Sequence, residues 1–322
     1  MSLYSVVVPV YNSQKTLQEL YERIKNVFEE KINEPFELVL VDDSSKDQSF
    51  KQMEKLRQAD KRVKIIQLSR NYGQHCALLC GFHYAKGDFI ITMDDDLQHP
   101  PEEIPKLIQE LDNNPELDVV IGKYMVKKHG PIRNFGTYLA NKVSSHIFKK
   151  DANLQLTSFR IMKRFVVQGI LERRVNFPRI GHLLLLVSNR IGNVVVEHDS
   201  RKYGKSGYTF KRLVKDFFSN ILTNSSFPLI IVRNIGIISF LVSVLLGIYY
   251  LTRYLFFGIS VQGWMTLVLL VLSYSGLILL SIGIVGDYLI RILEEAKRLP
   301  NYTVRQCETD DLETGDANEK QV

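Results

Sequence analysis

Short apolar runs rich in valine and isoleucine recur through residues 1–125 and constrain the fold most strongly. They are Ser5–Val10, Phe36–Val41, Val63–Leu68, Phe89–Met93 and Val119–Ile121. Continuous runs of this length are typical of strands buried on both faces of a mostly parallel sheet. Amphipathic helical patterns separate them, the first on Leu17, Leu20, Tyr21, Ile24, Val27 and Phe28, and others near 46–58, 73–86 and 102–113. The alternation predicts an α/β fold with helices on both faces of the sheet.

The composition excludes several classes of protein. Of the 322 residues, 45% are hydrophobic and 24% are charged, so the chain is neither collagen-like nor intrinsically disordered. Three cysteines, Cys76, Cys80 and Cys307, are too few for a disulfide scaffold and suit a reducing compartment. The net charge of +6 comes without a nucleic-acid-binding motif, so we expect no nucleic-acid partner. No signal-peptide pattern precedes Val6, so we expect the N-terminal domain to remain in the cytosol.

Acidic residues lie directly after two of the predicted strands. Asp42 and Asp43 follow the second strand, and Asp94, Asp95 and Asp96 follow the fourth. Ligands of open parallel sheets bind at the carboxyl ends of the strands, which is where these carboxylates would lie. Adjacent carboxylates repel one another unless a cation neutralises them, and Mg²⁺ or Mn²⁺ prefers such oxygen ligands together with substrate phosphates. The pattern favours a metal–nucleotide site over the alternative, a solvated acidic turn that caps the next helix.

Two basic segments follow the predicted sheet. Residues 131–149 have a helical pattern and contain Arg133, and a further strand is predicted over Thr157–Lys163. A basic, glycine-containing loop then runs from Arg201 to Tyr208. Cations on a flexible backbone suit the binding of phosphate groups, and the alternative interpretation is a solvated turn.

The C-terminal third has the composition of a membrane-associated region. One face of residues 208–228 is apolar, and Lys211, Arg212 and Lys215 lie elsewhere on it. This is typical of an interfacial helix on an anionic bilayer, with a packed core helix as the alternative. Ile235–Thr252 and the 23-residue run Trp264–Gly286 contain no charged residue, and each is long enough to cross a bilayer. Most basic residues flank one side of this hairpin, and Arg253 at its loop end could snorkel, which predicts a cytoplasmic catalytic half and C-terminus on a multi-pass inner (cytoplasmic) membrane protein.

These patterns divide the chain into five predicted segments. They are a catalytic domain at 1–207, the interfacial helix at 208–228, membrane spans at 229–257 and 264–290, and a cytosolic tail at 291–322 that is disordered at its end.

Three sequence blocks carry a family resemblance. They are VPVYN at 8–12, VDDSS at 41–45 and MDDDLQ at 93–98. Together they resemble the signature of the family-2 glycosyltransferases, which have the GT-A fold. The blocks SRNYGQH at 69–75 and DLQHPPEEIP at 96–105, with the two apolar runs, more closely resemble the polyprenyl-phosphate branch of this family. The resemblance is to bacterial undecaprenyl-phosphate sugar transferases, such as those for 4-deoxy-4-formamido-L-arabinose, and more distantly to dolichyl-phosphate mannosyltransferases.

The resemblance implies roles for individual residues. The residues implied to bind the nucleotide are Pro9, Tyr11, Asn12, Asp42, Asp43, Asp94 and Asp95. The implied ligands of Mg²⁺ or Mn²⁺ are Asp96 and Gln98. The side chains implied to bind donor or acceptor phosphates are Arg133, Arg201, Lys205 and Ser206. The residues implied to act in catalysis are Asp94, Asp96 and Arg201.

The implied reaction is an inverting, metal-dependent transfer of a sugar, most directly from a UDP-sugar, to polyprenyl phosphate. Its partners would be the nucleotide sugar, the lipid phosphate and the bilayer, and a homo-oligomer is left open. The chain has Ser13 where many members have Glu, and Ser158 in an element where an acid is frequent, so the sugar is left open. The alternative functions are a non-catalytic lipid-carrier binding protein on a transferase fold and a processive polysaccharide synthase.

Overall fold

The computed structural model describes residues 2–124, 154–173, 178–197, 199, 263–296 and 300–309, with isolated positions between 234 and 256. The chain divides into two compact units. The first contains residues 1–145, 150–205 and 298–322, and the second contains residues 146–149 and 206–297. The sheet and the candidate site belong to the first unit.

The described residues form a single eight-stranded sheet. Its strands are β1 (Tyr4–Val10), β2 (Phe36–Asp42), β3 (Val63–Leu68), β4 (Phe89–Thr92), β5 (Val119–Tyr124), β6 (Arg160–Lys163), β7 (Ile191–Val196) and β8 (Val304–Glu308). The order across the sheet is β7-β5-β6-β4-β1-β2-β3-β8. Strand β1 pairs in parallel with β2 and β4, β2 with β3, and β5 with β7, whereas β6 runs antiparallel between β4 and β5. The predicted α/β fold with a mostly parallel sheet is confirmed.

Helices cover both faces of this sheet. They are α1 (Leu17–Asn26), continued by a π-helical segment (Val27–Ile32), α2 (Ser49–Ala59), α3 (Gln74–Tyr84), α4 (Ile104–Asn113), preceded by a 3₁₀ turn (Pro101–Glu103), α5 (Arg164–Leu171) and α6 (Ile180–Val187). The helices predicted near 46–58, 73–86 and 102–113 are confirmed. In the second unit, α7 extends over Trp264–Ala296.

The apolar core has two layers, one on each face of the sheet. Val6 and Val8 of β1 point towards the layer formed with α1, α2 and α4, and Val7 points towards the layer formed with α3, α5 and α6. All three side chains have no solvent exposure. Because successive side chains of a strand point to opposite faces, a strand covered on both sides needs an uninterrupted apolar run.

Helix α3 lies very close to β1. A Cβ atom on Gly81 would lie 2.3 Å from Cγ1 of Val7 and 3.3 Å from Cγ2 of Val41. Only glycine permits this approach, which fixes the depth at which α3 packs. The start of α3 is held at the carboxyl ends of the central strands by the amide of Gly73, which donates to Asp43.

Strand β8 was not predicted from the sequence. It lies in the segment assigned to the cytosolic tail and pairs antiparallel with the outer strand β3, with Cys307 opposite Ile66. The amide of Ser69 donates to the carbonyl of Thr303 over 2.8 Å, and the Tyr302 hydroxyl lies 2.8 Å from Nδ1 of His83 on α3. Residues that follow α7 in sequence thus complete the sheet of the first unit.

Most of the predicted membrane region lies outside the described residues. These include the interfacial helix at 208–228 and most of the span at 229–257. Helix α7 includes the whole of the predicted span 264–290. Counting only the described residues, no helix reaches the length and hydropathy of a membrane span. Both spans stay predictions.

Candidate functional site

The carboxyl ends of β1, β2 and β4 meet at one edge of the sheet, because these three strands are parallel neighbours. The backbone amide of Tyr11, just after β1, donates to Oδ2 of Asp95 over 2.9 Å. The amide of Asn12 donates to Oγ of Ser45 over 2.9 Å, and Oδ1 of Asn12 accepts a bond from the amide of Lys46 over 2.8 Å. The segments that follow the three strands are therefore tied together by side chains.

Three non-glycine residues at this edge have left-handed backbone conformations. They are Asn12 with φ 56°, Ser44 with φ 59° and Leu97 with φ 60°, and each follows a different one of the three strands. Such conformations are uncommon for residues with a Cβ atom and are frequent at functional sites. Gly73, which precedes α3 at the same edge, has φ 90°, a conformation that only glycine adopts readily.

The two acids at the end of β2, Asp42 and Asp43, are buried and accept hydrogen bonds from the chain. Oδ1 of Asp42 accepts from the amide of Ser45 over 3.1 Å, and Oδ2 accepts from Nε2 of Gln67 over 3.1 Å. Asp43 accepts from the amides of Tyr72 and Gly73 over 2.7 and 2.8 Å. Burial raises the pKa of Asp43, and the hydrogen bonds from these two backbone amides oppose the rise. Asp43 thus fixes the segment that leads into α3.

The three acids after β4 have three different environments. Asp95 accepts the bond from Tyr11, and burial raises its pKa to about 6 against the lowering effect of Ser13 and Tyr11. Oδ1 of Asp96 accepts from the amide of Gln98 over 3.1 Å. Asp94 accepts from Nε2 of Gln74, and its Oδ2 accepts from Oγ of Ser158 over 2.6 Å.

Sequence reasoning missed the side chains that surround Asp94. These are Gln74 at the start of α3, Ser158 before β6, and His99, whose Nδ1 lies 3.7 Å from Oδ2 of Asp94. The His99 ring stacks on the rings of Tyr124 and Phe159, with centroids 5.4 Å from each. Gln74 and His99 lie inside the blocks that carry the resemblance, but the blocks alone give no indication that they meet at Asp94.

The structure brings together most of the predicted site residues that it describes. Pro9 lies within β1 opposite Val41 of β2, and Tyr11 is 45% exposed beside it at the strand end. No group of three or more His, Cys, Asp or Glu side chains arranged to hold a metal ion occurs among the described residues. The predicted phosphate-binding residues lie outside the described ranges: Arg133, Arg201, Lys205 and Ser206.

Known proteins resemble this chain in sequence and in fold. Residues 5–171 match the family description "Glycosyl transferase family 2". An uncharacterized glycosyltransferase of Bacillus subtilis (strain 168), YkcC, is 32% identical over 305 residues, covering 94% of this chain and 93% of that protein. The undecaprenyl-phosphate 4-deoxy-4-formamido-L-arabinose transferase of Proteus mirabilis (strain HI4320) is 30% identical over 306 residues, with 94% and 93% coverage.

A solved structure gives the fold likeness. Glucosyl-3-phosphoglycerate synthase from Mycobacterium tuberculosis, in complex with Mn²⁺, UDP and glucosyl-3-phosphoglycerate, superposes with a TM-score of 0.52 at 16% identity. The match covers 70% of this chain and 80% of the synthase, which confirms a GT-A-like sheet. With half of its length matched by the family description and a relative at 32% identity over nearly all of it, this chain belongs to glycosyl transferase family 2.

Proposed function

We propose that this chain transfers a sugar from a nucleotide sugar, most directly a UDP-sugar, to undecaprenyl or another polyprenyl phosphate. The product is a polyprenyl-phosphate-linked monosaccharide with an inverted anomeric centre, used to modify a cell-envelope glycan. The observation that carries this proposal is the edge of ordered carboxylates from Asp42 to Asp96. They occur in a chain that is similar to the Proteus mirabilis transferase over 94% of its length.

The donor nucleotide is assigned to the ends of β1 and β2. The exposed ring of Tyr11 offers an apolar face on which a base can stack. Asp42 is held by Ser45 and Gln67, so its carboxylate is oriented before a ligand arrives. Preorganised polar groups bind with a smaller entropic cost than mobile ones.

The donor diphosphate is assigned to the turn after β4. Asp96 and Gln98 supply a carboxylate and an amide oxygen, the hard ligands that Mg²⁺ or Mn²⁺ prefers. The hydrogen bond from the backbone amide of Gln98 to the Asp96 carboxylate shapes this turn. Magnesium sites at substrate phosphates commonly use only one or two protein carboxylates, so this donor set fits such an ion. A bound ion would stabilise the negative charge on the leaving diphosphate.

The acceptor needs no protein base. A phosphate monoester has a second pKa of about 6, so it is mostly a dianion near neutral pH and can attack the anomeric carbon directly. This accounts for Ser158 at a position where relatives often carry an acid, because the serine hydroxyl only orients Asp94. Arg133, Arg201, Lys205 and Ser206 are assigned to the phosphates of the two substrates, as the family resemblance implies.

The lipid acceptor requires access to a bilayer. We assign membrane spans to 229–257 and 264–290 and an interfacial helix to 208–228, with the catalytic domain and the C-terminus on the cytoplasmic side of the inner membrane. The support for this assignment is the uncharged run Trp264–Gly286 and the basic residues that flank one side of the hairpin.

The direct test incubates the full chain with undecaprenyl phosphate in vesicles and a panel of labelled UDP- and GDP-sugars, with Mg²⁺, Mn²⁺ or a chelator. We expect one sugar to appear on the lipid as a monosaccharide, and the chelator to abolish the reaction. Binding of nucleotide sugar and lipid without any product would support the non-catalytic alternative. A polymeric product would support the processive synthase.

A further inference from the structure

Strand β6 begins with a buried cation, Arg160, at the same edge of the sheet as the acids. Arg160 pairs with Thr92 at the end of β4, and only 3% of its surface is exposed. Its Nη1 atom is buried and has no hydrogen-bond partner among the described residues, while Nε lies 3.5 Å from the carbonyl of Ser158. Burial lowers the pKa of Arg160 to about 10, so the guanidinium stays charged near neutral pH. A buried charge with an unsatisfied donor is costly unless a ligand satisfies it.

Further basic side chains surround Arg160. His75 lies in the first turn of α3, next to the Gln74 that binds Asp94, and its side chain reaches solvent. The surrounding protein and then the positive charges of Arg160, Arg179 and His182 lower the pKa of His75. We call His75, Arg160, Arg179 and His182 the basic cluster.

The backbone explains how the basic cluster is assembled. Arg179 directly precedes α6, and the amide of His182 donates to the carbonyl of Arg179 over 2.9 Å, so both lie in the first turn of that helix. A Cβ atom on Gly181 would lie 3.5 Å from Cβ of Leu156, which places this turn against the segment that contains Ser158 and Arg160. The amino-terminal end of α3 adds the positive end of its dipole.

The charge of the basic cluster indicates its ligand. Asp94, which accepts a hydrogen bond from Ser158, is the acid whose charge acts on Arg160. The basic cluster thus has two arginines, Arg160 and Arg179, for this one carboxylate. The net charge is therefore positive, and guanidinium groups pair in bidentate fashion with the oxygens of a phosphate monoester. The donor-binding residues lie after β1, β2 and β4, and the basic cluster lies beyond Asp94 on the β6 and α6 side.

We infer that the basic cluster binds the phosphate monoester of the polyprenyl acceptor, with Arg160 as its buried anchor. The inference rests on the proposed function and names the acceptor subsite of the same reaction. The phosphate oxygen held here forms the new bond to the anomeric carbon, while the bond from that carbon to the diphosphate breaks and the nucleoside diphosphate leaves with the electron pair. No proton is transferred, because the attacking phosphate is already a dianion.

The test compares Arg179→Gln with a matched control, Arg190→Gln, in the full chain reconstituted in vesicles. Arg190 is exposed and immediately precedes β7, at the opposite edge of the sheet. For Arg179→Gln we expect the KM for undecaprenyl phosphate to rise about tenfold or more, because a charge-assisted contact is lost. The KM for the nucleotide sugar should change less than about twofold, and Arg190→Gln should leave both values unchanged. An unchanged acceptor KM, or an equal rise in both values, overturns the inference.

A binding arm separates this inference from the proposed function. A short-chain prenyl phosphate and inorganic phosphate are each titrated against the parent, Arg179→Gln and Arg160→Lys proteins, with the thermal midpoint checking the fold of each variant. Prenyl phosphate should bind the parent and lose about tenfold in affinity in the variants, even if no nucleotide sugar is turned over. Inorganic phosphate should bind more weakly than prenyl phosphate. Prenyl phosphate binding that is equal in the parent and Arg179→Gln overturns the inference whether or not transfer is observed.

Discussion

The acids and the basic cluster lie on either side of Asp94, and the chain treats them differently. The carboxylates of Asp42, Asp43 and Asp95 accept bonds from backbone amides or from nearby side chains. Arg160 is buried with a guanidinium nitrogen that no described residue satisfies. The acidic side is therefore organised by the protein alone, whereas the basic side is completed by an anion. In a transferase this difference would order the donor side in advance and leave the acceptor side dependent on its ligand.

The largest effect is expected from the acid that is assigned to the metal. Asp96→Ala should reduce transfer by about 100-fold or more, because the charge on the leaving diphosphate loses its stabilisation. Without metal, the variant should be as stable as the parent or more stable, since one of three successive carboxylates is removed. Rates and thermal midpoints with and without Mn²⁺ measure both effects. Asp112→Ala, at an exposed acid on α4, is the control, and full activity of Asp96→Ala would exclude the metal assignment.

Helix α3 links the two sides, because Gln74 binds Asp94 and His75 belongs to the basic cluster. Gly81→Ala would place a Cβ atom 2.3 Å from Val7 and push the helix away from the sheet. Overpacking of this kind costs about 1–3 kcal/mol, which urea denaturation would measure. The KM values for both substrates should rise together. Gly283→Ala, where an added Cβ meets no atom within 4 Å, is the control. A rise confined to one substrate would show that α3 positions only one side.

Arg62, which lies away from the site, contrasts with Arg160 because its guanidinium is hydrogen-bonded to a carboxylate. The guanidinium of Arg62 donates to both carboxylate oxygens of Asp60, at 2.7 to 3.1 Å. Burial alone would raise the pKa of Asp60, but the bonds from Arg62 and Tyr21 lower it to about 2. The stability that this acid contributes is thus complete above its unfolded pKa of about 4 and is lost as the pH falls towards 2.

Asp60→Asn should therefore lower the free energy of unfolding by about 1–2 kcal/mol near pH 7, a value reduced for partial solvent screening. The difference from the parent should shrink as the pH falls from about 5 towards 2. Urea denaturation across this range measures it, with the exposed Glu30→Gln as control. A difference that does not depend on pH would assign the loss to packing rather than to charge.

The smallest effect on transfer is expected at the hydroxyl that binds Asp94. Ser158→Ala should keep the rate within about tenfold of the parent, because one neutral donor is lost and no proton transfer depends on it. Arg201→Ala should lose much more of the transfer rate.

In the parent, the rate should rise with pH through the acceptor's pKa of about 6 and then level off. A midpoint that stays fixed when an acceptor of lower phosphate pKa is used would reveal a titrating protein group.

The features that depend on local sequence were predictable. Strands β1 to β5 were predicted from their apolar runs, and the acids of the site lie at the carboxyl ends of β2 and β4, so topology brings them together. The features that depend on distant contacts were not. The residues of β8, VRQCE, have no continuous apolar run, and they form a strand only because β3 offers an unpaired edge. Arg160 was predicted within a strand, but its burial becomes visible only when α3 and α6 are packed around it.

Strand β8 has a consequence for the order in which the protein is made. The outer edge of β3 is paired by residues 304–308, so it stays open until the ribosome has passed α7 and reached these residues. An exposed edge strand can pair with other chains, which makes the incomplete product prone to aggregation. Closure of the sheet therefore waits for residues that follow α7 in sequence. A prematurely terminated product would carry every acid of the site and still lack a finished sheet.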